Sequence, residues 1–356
     1  MPAHTHDSYA AYREFTRRKA LITAGLFAAT VVVAILAVGA GAADLSTADV
    51  VRALLRLEES VNTVIVWNVR LPRVLVGVVA GIGLAVSGAV MQNVLRSPLA
   101  SPFTLGVSQG AAFGAALAII GLGAGATQNL TAGAVRVTSA LPVAAFAFAG
   151  ALVATVVIVA VARFRSAAPE TVVLTGVALG SLFAALTVLL QYFAEDTQVA
   201  AVVFWTFGDL GRASWRDLSL MAAITAGGLV YTMFRRWDYN ALEAGAEAAE
   251  GLGVDVERVR LEGMFVSSLM TAGAVAFLGI IGFIGLVGPH LVRRVLGNDY
   301  RFVLPASACA GALLLLVSDT VARTVISPVV LPVGAITSLL GAPLFLYLLV
   351  GRRGSR

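Results

Sequence analysis

The sequence predicts an all-α protein that crosses a membrane about ten times. Of its 356 residues, 59% are hydrophobic and 13% are charged, and the mean hydropathy is +0.90. Soluble domains carry about 25% charged residues, so this composition lies far outside their range. Long runs without a single charge provide the second observation, because several are long enough for a spanning helix.

The candidate spans follow from these charge-free runs. They occupy residues 20–43, 74–95, 97–135, 137–162, 171–194, 218–234, 263–292, 302–318 and 324–351. Dividing the longest runs at their glycine and proline clusters gives ten spans.

The run at 263–292 needs a specific division. Glycine recurs at every third residue from Gly279 to Gly288, directly before Pro289, and this pattern weakens a continuous helix. We expect one span to about Ile280, a tight turn, and a half-helix from about 283 to 296. Such a break is tolerated only where protein or a cavity covers the freed backbone.

Basic residues favour one orientation of the ten spans. With the N-terminus inside, 17 of the 25 lysines and arginines lie in the cytoplasm and 8 outside. We expect a cytoplasmic tail at 1–19, a transmembrane domain at 20–351 and a second cytoplasmic tail at 352–356. The first apolar run is longer than a secretory core, so we interpret it as an uncleaved helix. The net charge of +5 follows mostly from this topology and does not imply nucleic-acid binding.

A polar island at 238–262 interrupts the apolar chain and is predicted to face the cytoplasm. Good helix formers fill 241–251. An apolar and an acidic stripe run along this predicted helix: Leu242, Ala246 and Ala249, and then Glu243, Glu247 and Glu250. Gly251 and Gly253 are expected to end the helix, and Asp255 to cap the next one. The island is either a solvated linker or a docking platform for a cytoplasmic partner.

Two further stretches are long enough to carry structure on the outer side. Residues 48–57 form an amphipathic segment with Arg52 and Arg56 on one face. Residues 198–217 are typical of a short interfacial helix with aromatic anchors. Within the spans, glycines four residues apart, such as Gly106 and Gly110, favour close helix packing inside the chain over a dimer-specific role.

Several classes of function are excluded or disfavoured. Lys19 is the only lysine and follows no glycine-rich loop, so a Walker A phosphate loop is impossible and any ATP must be hydrolysed by another subunit. Cys309 is the only cysteine, which excludes an intramolecular disulfide. No catalytic cluster or zinc spacing occurs, and His4 and His6 lie in a tail expected to be mobile. The spans hold almost no ionisable groups, which argues against an ion-coupled pump.

Four blocks of sequence resemble one family. They are Arg70-Leu-Pro-Arg73 with Gly81, Ser87-Gly88, Gln92, Asn93, Arg96, Pro98 and Leu105-Gly-Val-Ser108; Trp205 with Gly208 and Trp215; Gly282 to Arg293; and Leu331 to Thr337 with Gly341 and Pro343. The island also fits. These blocks resemble the FecCD family, the iron-siderophore, haem and cobalamin permeases of type II ABC importers, over nearly everything after the N-terminal tail.

The resemblance implies a permease subunit with ten helices that pairs with a second copy or a close relative, with the translocation path at their interface. A substrate-binding protein would deliver the chelate from outside. Two ATPase subunits, which hold the ATP and Mg, would dock on the cytoplasmic loops. The chain itself would bind no cofactor and catalyse no reaction.

The resemblance also implies roles for particular residues. ATPase coupling falls on Asn240, Leu242, Glu243, Gly245, Glu247, Leu252, Gly253, Val254 and Arg258. Docking of the binding protein falls on Arg52, Arg56 and Arg323, where Asp319 is an alternative partner that orients Arg323. A cytoplasmic gate is expected at Ala167, Ala168, Pro169 and Glu170. His290 is interpreted as a structural hydrogen-bonding residue, and no metal site is expected.

The chain departs from the family pattern at three positions. Val330 replaces a common glutamate, Asp209 replaces a common serine, and Ile280 stands where the turn often has proline. Together these departures favour considering a heterodimer in which a paralogous partner supplies the missing groups, while the sequence leaves both a homodimer and a heterodimer open. We interpret the cargo as a ferric siderophore carried across a bacterial cytoplasmic membrane, with haem or cobalamin as alternatives. An ion-coupled transporter and a structural scaffold are the alternatives of a different class.

Overall fold

The computed structural model describes residues 3–40, 47–57, 60–124, 127–128, 135–136, 140–164, 168–327 and 329–350. The α-helices of this part of the chain are α1 (Ala3–Gly39), α2 (Thr47–Leu54), α3 (Val61–Ile65), α4 (Leu71–Val94), α5 (Val107–Ala116), α6 (Ala140–Phe164), α7 (Pro169–Tyr192), α8 (Asp196–Thr206), α9 (Trp215–Phe234), α10 (Arg236–Glu243), α11 (Ala246–Gly251), α12 (Val256–Leu278), α13 (Ile284–Leu296), α14 (Tyr300–Thr324) and α15 (Val333–Val350). Two short strands, β1 (Thr127–Gln128) and β2 (Val135–Arg136), pair antiparallel.

The described helices form ten membrane segments, as the sequence predicted. Seven are long and apolar enough to cross a membrane alone: α1, the continuous stretch Val61–Val94, α6, α7, α9, α12 and α14. Two shorter apolar helices, Val107–Gly121 and Val333–Tyr347, and the half-helix α13 complete the set. In the most apolar stretch of Val61–Val94, 78% of the residues are buried, whereas only 17% are buried in the corresponding stretches of α1 and α7. Helix α4 therefore lies at the centre of the bundle, and α1 and α7 lie at its periphery.

The centre of the bundle depends on close approach of backbones. A Cβ at Gly88 of α4 would overlap the carbonyl oxygen of Gly285 at the start of α13. One at Gly81 would lie 2.5 Å from the carbonyl oxygen of Gly311 of α14. Small residues therefore let α4 contact both helices backbone to backbone. The prediction of tight packing within the chain is confirmed.

The break between α12 and α13 is also confirmed, with bounds within two residues of those predicted. Gly279 has φ +80° and Phe283 has φ +66°, so both leave the helical region. The freed backbone is covered by the segment 207–209, where Asp209 N–H donates to the Leu278 carbonyl over 2.9 Å and Phe207 pairs with Ile280. Protein thus replaces the water that hydrocarbon lacks, as the membrane requires.

Two predicted boundaries differ from the structure. Residues 3–19 were expected to form a mobile tail, but α1 is one helix of 37 residues. At 1.5 Å per residue it is about 55 Å long, well beyond the hydrocarbon core of about 30 Å. His4 and His6 therefore lie in a helix. The single helix predicted over 241–251 is in fact two short helices. The C-terminal tail at 352–356 lies outside the described residues.

Replacing Gly88 with alanine should destabilise the folded protein, because the added methyl group overlaps the Gly285 backbone. Overpacking typically costs about 1–3 kcal/mol. We expect a lower Tm than wild type for the purified protein in detergent, followed by fluorescence during heating. Gly227→Ala is the matched control, since nothing lies within 4 Å of a Cβ at that position. Equal Tm values for the two variants would contradict this packing.

Candidate functional site

The polar island folds into a helical pair, α10 and α11, joined by a turn at 244–245. Gly245 has φ +124° and Gly253 has φ +83°, a backbone region that glycine enters without steric cost. The Asp255 carboxylate accepts a hydrogen bond from Arg258 N–H over 3.0 Å, which confirms Asp255 as the cap of α12. The pair is therefore an ordered surface whose turns lie at residues that adopt them without strain.

The two predicted stripes of the island survive the break between the helices. Leu242 and Ala249 are buried against the core, whereas Glu243, Glu247 and Glu250 are exposed. Leu252, at the end of α11, is 74% exposed. Because the apolar side is already packed, the acidic side and Leu252 are the surface that is open to a partner.

Ion pairs tie the entrance and exit of the helical pair together. The Glu262 carboxylate of α12 accepts from Arg235, which precedes α10, and from Arg258, each over 2.7 Å. Tyr231 of α9 donates to the same carboxylate. Burial alone would lower the pKa of Arg235, but hydrogen bonds with Tyr231, Asp238 and Glu262 raise it above its ordinary value. Arg235 therefore stays charged at any relevant pH.

The inner side of α10 is bonded to two other helices. Asn93 of α4 donates through Nδ2 to the Tyr239 carbonyl and to Glu243 Oε2, each over 3.2 Å. Asn298, which precedes α14, donates to Glu243 Oε1. Asn240 of α10 contacts Asp299 and Tyr300 at the start of α14. These bonds fix α10 to α4 and α14, and the ion pair between Arg235 and Glu262 fixes its start to α12.

The predicted coupling residues divide into two groups. Asn240 and Leu242 face the bundle, and Gly245 and Val254 are half-buried. The exposed ones are Glu243, Glu247, Leu252, Gly253 and Arg258. The contribution of Asn93, Asn298 and Asp299 was missed, because each is far from the island in sequence. The contribution of Glu262, the last residue of the island, was missed as well. Among these residues, only Asn93 gave a signal in the sequence: a polar side chain at the end of an apolar span indicates a buried hydrogen-bond partner.

An arginine network lies at the far side of the membrane domain, the side opposite the helical pair. Asp319 of α14 is 1% exposed, and its two oxygens accept from Arg73 of α4 and from Arg323. Arg73 also lies 3.3 Å from Asp209, the residue that replaces the family's common serine. The additional carboxylate of Asp209 therefore forms an ion pair with Arg73.

The same network completes the C-terminal end of α1. Arg70 donates to the carbonyls of residues 38 and 39, and Arg323 donates to those of residues 37 and 40. The last four carbonyls of a helix have no partner within that helix, and cations near them are favoured by the helix dipole. Two guanidinium groups donate to all four of these carbonyls.

The docking prediction needs one correction. Arg323 is only 7% exposed and donates to Asp319 and to α1, so its guanidinium does not reach the surface and Arg323 leaves the docking set. Its orientation by Asp319, the alternative interpretation, is what the structure shows. Arg52 and Arg56 are exposed, and the Arg56 guanidinium lies 4.1 Å from the Trp67 ring centroid. Their docking role stays a prediction.

The predicted gate lies where α7 begins. Ala168 caps α7, Pro169 is its first residue, and Glu170 lies in its first turn, where an acid favours the helix dipole. Ala167 lies outside the described residues. These positions explain the start of α7, and the gate itself stays a prediction.

A cavity of about 300 Å³ opens between α5 and α7. It is lined by Phe103, Thr104, Gly106, Gln109, Gly176, Val177, Gly180, Ser181 and Ala184. These side chains are all uncharged, and Thr104, Gln109 of α5 and Ser181 of α7 are the polar ones among them. Polar groups at membrane depth normally face protein or water rather than lipid.

His290 lies in α13 with its ring against Phe345 of α15, at a centroid distance of 6.2 Å. Within the part of the chain that the structure describes, no three His, Cys, Asp or Glu side chains are grouped as a metal site would need. The structural hydrogen-bonding role expected for His290 stays a prediction.

The fold and these sites define a multi-span membrane permease with a helix broken inside the membrane and an ordered helical pair outside it. The chain belongs to the FecCD transport family, whose model matches residues 29–351. The resemblance inferred from the four sequence blocks is therefore confirmed.

Individual relatives support this membership. A protein of Methanocaldococcus jannaschii designated an ABC transporter permease is 51% identical over 339 residues, 95% of this chain and 97% of that protein. The Fe(3+)-citrate import permease YfmE of Bacillus subtilis is 36% identical over 90% of this chain and 91% of its own length. A hemin permease of Yersinia pestis and a cobalamin permease of Halobacterium salinarum match 59% and 65% of this chain.

A solved structure described as a metal-chelate type ABC transporter in an inward-facing conformation has the same fold. Its TM-score is 0.79 at 29% identity, covering 93% of this chain and 99% of that one. The chain is thus a permease subunit of an ABC importer for an iron chelate, haem or cobalamin. In this family ATP is hydrolysed by a separate subunit.

Replacing Arg323 with alanine should lower stability strongly, because it leaves Asp319 short of a partner and uncaps α1. Breaking a buried ion pair typically costs about 3–5 kcal/mol. We expect a clear fall in the Tm of the purified protein, whereas the exposed Arg52→Ala should unfold like wild type. An Arg323→Ala variant as stable as wild type would show that the network does not hold α1.

Proposed function

We propose that this chain imports a ferric siderophore across the bacterial cytoplasmic membrane, driven by ATPase subunits that dock on α10 and α11. Both termini and the helical pair would face the cytoplasm, as the distribution of basic residues favours. The observation that carries the proposal is the geometry of the pair. A short helix tied to three spans can transmit a push, whereas a flexible linker would absorb it.

The exposed side of the pair supports docking of a partner. Its apolar stripe is packed internally, and Leu252 is 74% exposed. A single exposed leucine is ordinary on a protein surface, so Leu252 supports docking only together with the exposed carboxylates of the pair. Glu243, Glu247 and Glu250 supply those carboxylates.

A second permease subunit would cover the exposed face of α7. The cavity between α5 and α7 would then open onto the interface between the two subunits, where its uncharged lining offers a bulky chelate no strong binding charge. Both a second copy and a paralogue fit this arrangement. Substrate selection would rest mainly on the external binding protein.

The choice of an iron chelate rests on the relatives. The Fe(3+)-citrate permease matches this chain over 90% of its length, whereas the hemin permease matches over 59%. The deciding measurement is the ligand that co-purifies with the cognate binding protein. A ferric siderophore supports the proposal, and haem or cobalamin would replace it.

An ion-coupled transporter is disfavoured by the buried carboxylate of the far side. A coupling carboxylate must exchange its ion, but Asp319 is occupied by two arginines. Uptake into proteoliposomes that depends on internal ATP and persists when ion gradients are collapsed separates the two classes.

ATPase association should depend on Gly245 and Glu247. Proline fixes φ near −65°, which the +124° of Gly245 excludes, so Gly245→Pro should displace α11. Glu247→Arg reverses a charge at the middle of the exposed side. We expect both variants to lose co-purification with the ATPase.

Gly227→Ala and Glu14→Arg are the matched controls for these variants. Nothing lies within 4 Å of a Cβ at Gly227, which is on α9 and outside the proposed surface. Glu14 is exposed on α1, and Glu14→Arg makes the same change in charge on the side predicted to be cytoplasmic. Unchanged co-purification of Gly245→Pro and Glu247→Arg would sink the assignment of the surface.

Docking of the binding protein should depend on Arg52 and Arg56. Rim charges mainly set association rates, so reversing both to glutamate should slow association by about tenfold or more at low salt. Surface plasmon resonance with the reconstituted transporter measures this rate, with Arg216→Glu as the control on the same side. Identical rates for the reversed variant and the control would exclude both residues.

A further inference from the structure

The side-chain amide of Asn240 joins α10 to the first turn of α14. Its Nδ2 donates to Asp299 Oδ1 over 3.2 Å, and its Oδ1 accepts from Tyr300 N–H over 2.7 Å. A carboxylate only accepts and a backbone N–H only donates, so the orientation of the amide is fixed by its partners.

This contact completes the N-terminus of α14. The first N–H groups of a helix lack partners within the helix. Asp299 accepts from Arg301 N–H over 3.1 Å, and Asn240 takes the N–H of Tyr300. Burial opposes the charge on Asp299, but hydrogen bonds from Arg301 lower its pKa below the ordinary value. The first turn of α14 is therefore complete only with α10 in place.

Tyr300 carries the connection onward to α13 and α4. Its hydroxyl donates to the Ala89 carbonyl of α4 over 3.1 Å and accepts from Arg293 of α13 over 3.0 Å. Arg293 is near the C-terminal end of α13. The N-terminal end of the same helix is bonded to α4, because Gln92 Nε2 donates to the Gly285 carbonyl over 3.2 Å. The half-helix is thus bonded at both ends to elements that the helical pair contacts.

The half-helix has the geometry of a unit that turns as a whole. Its 13 residues lie between Gly279 and Gly297, which have φ +80° and +75°. Hinges are commonly a few residues at element ends that absorb changes in φ and ψ. A displacement of α10 would reach α13 through Asn240, Asp299 and Tyr300 without unfolding either helix.

We propose that Asn240 is a positioning residue that passes movement of the helical pair to the half-helix α13 through the first turn of α14. This inference rests on the proposed function, because it assigns the route by which ATP hydrolysis would reach the membrane domain. Asn240 itself faces the bundle and need not touch the ATPase.

Exchanging the two polar partners tests the route. Asn240→Asp places a carboxylate against Asp299, so donation to Asp299 is lost and repulsion replaces it. The complete complex in proteoliposomes should then hydrolyse at least about fivefold more ATP per imported substrate, the lower end of typical coupling free energies between sites. Adding Asp299→Asn restores a donor facing an acceptor, and the double variant should return to the wild-type ratio.

Controls separate the route from general instability. Ser214→Ala removes the cap at the start of α9, a comparable loss at the end of that helix far from the pair, and should leave the ratio unaltered. If Asn240→Asp does not fold, Asn240→Ala removes both contacts without repulsion and is measured instead. A normal ratio in the Asn240 variant, or an equal rise in Ser214→Ala, overturns the inference.

The wild-type complex distinguishes this inference from the function on which it rests. A wild-type chain that neither binds an ATPase nor imports substrate would refute the proposed function. A wild-type chain that imports normally, together with an Asn240→Asp variant that couples normally, would refute the route alone.

Discussion

The helix break at 279–283 frees backbone groups at a depth where hydrocarbon offers no water, and each must find a partner in the protein. Residues that follow α8 and residues at the start of α15 provide these partners. The segment at 207–209 pairs with Leu278 and Ile280, and Val333 N–H donates to the Gly208 carbonyl beside it. Three stretches distant in sequence are thereby fixed to one another. The positions of α8, α12 and α15 follow from this single requirement.

The same requirement determines how charge is used at the far side. Arg70 and Arg323 would be costly inside the membrane as free charges, yet the open carbonyls of α1 and the Asp319 carboxylate give their N–H groups partners. This arrangement explains why an arginine predicted to meet a partner protein is instead directed inward. Position near a membrane surface does not reveal whether a guanidinium serves a helix end of its own chain.

Features set by local sequence were predictable. The glycine spacing indicated the half-helix, and the stripes of Leu242 and Ala249 against Glu243 and Glu247 indicated which side of the island is buried. The turn at Gly245 was missed because alanine and glutamate on both sides favour a continuous helix. What bends the chain there is tertiary: Asn240, Tyr239 and Glu243 are bonded to α4 and to the start of α14. Partners more than 50 residues away leave no mark on a local pattern.

The two sides of the bundle share one device, a carboxylate held by two arginines, but in different surroundings. Asp319 is 1% exposed, and separating it from its arginines would leave a buried charge, at a cost of several kcal/mol. Glu262 is 31% exposed, where a similar pair contributes about 1 kcal/mol or less because water screens it. Separating the ion pairs near the helical pair therefore requires little free energy, whereas separating those of the far-side network requires much more. Movement that begins at α10 and α11 should accordingly be taken up by the half-helix and its hinges, with the far end of α14 as the fixed point.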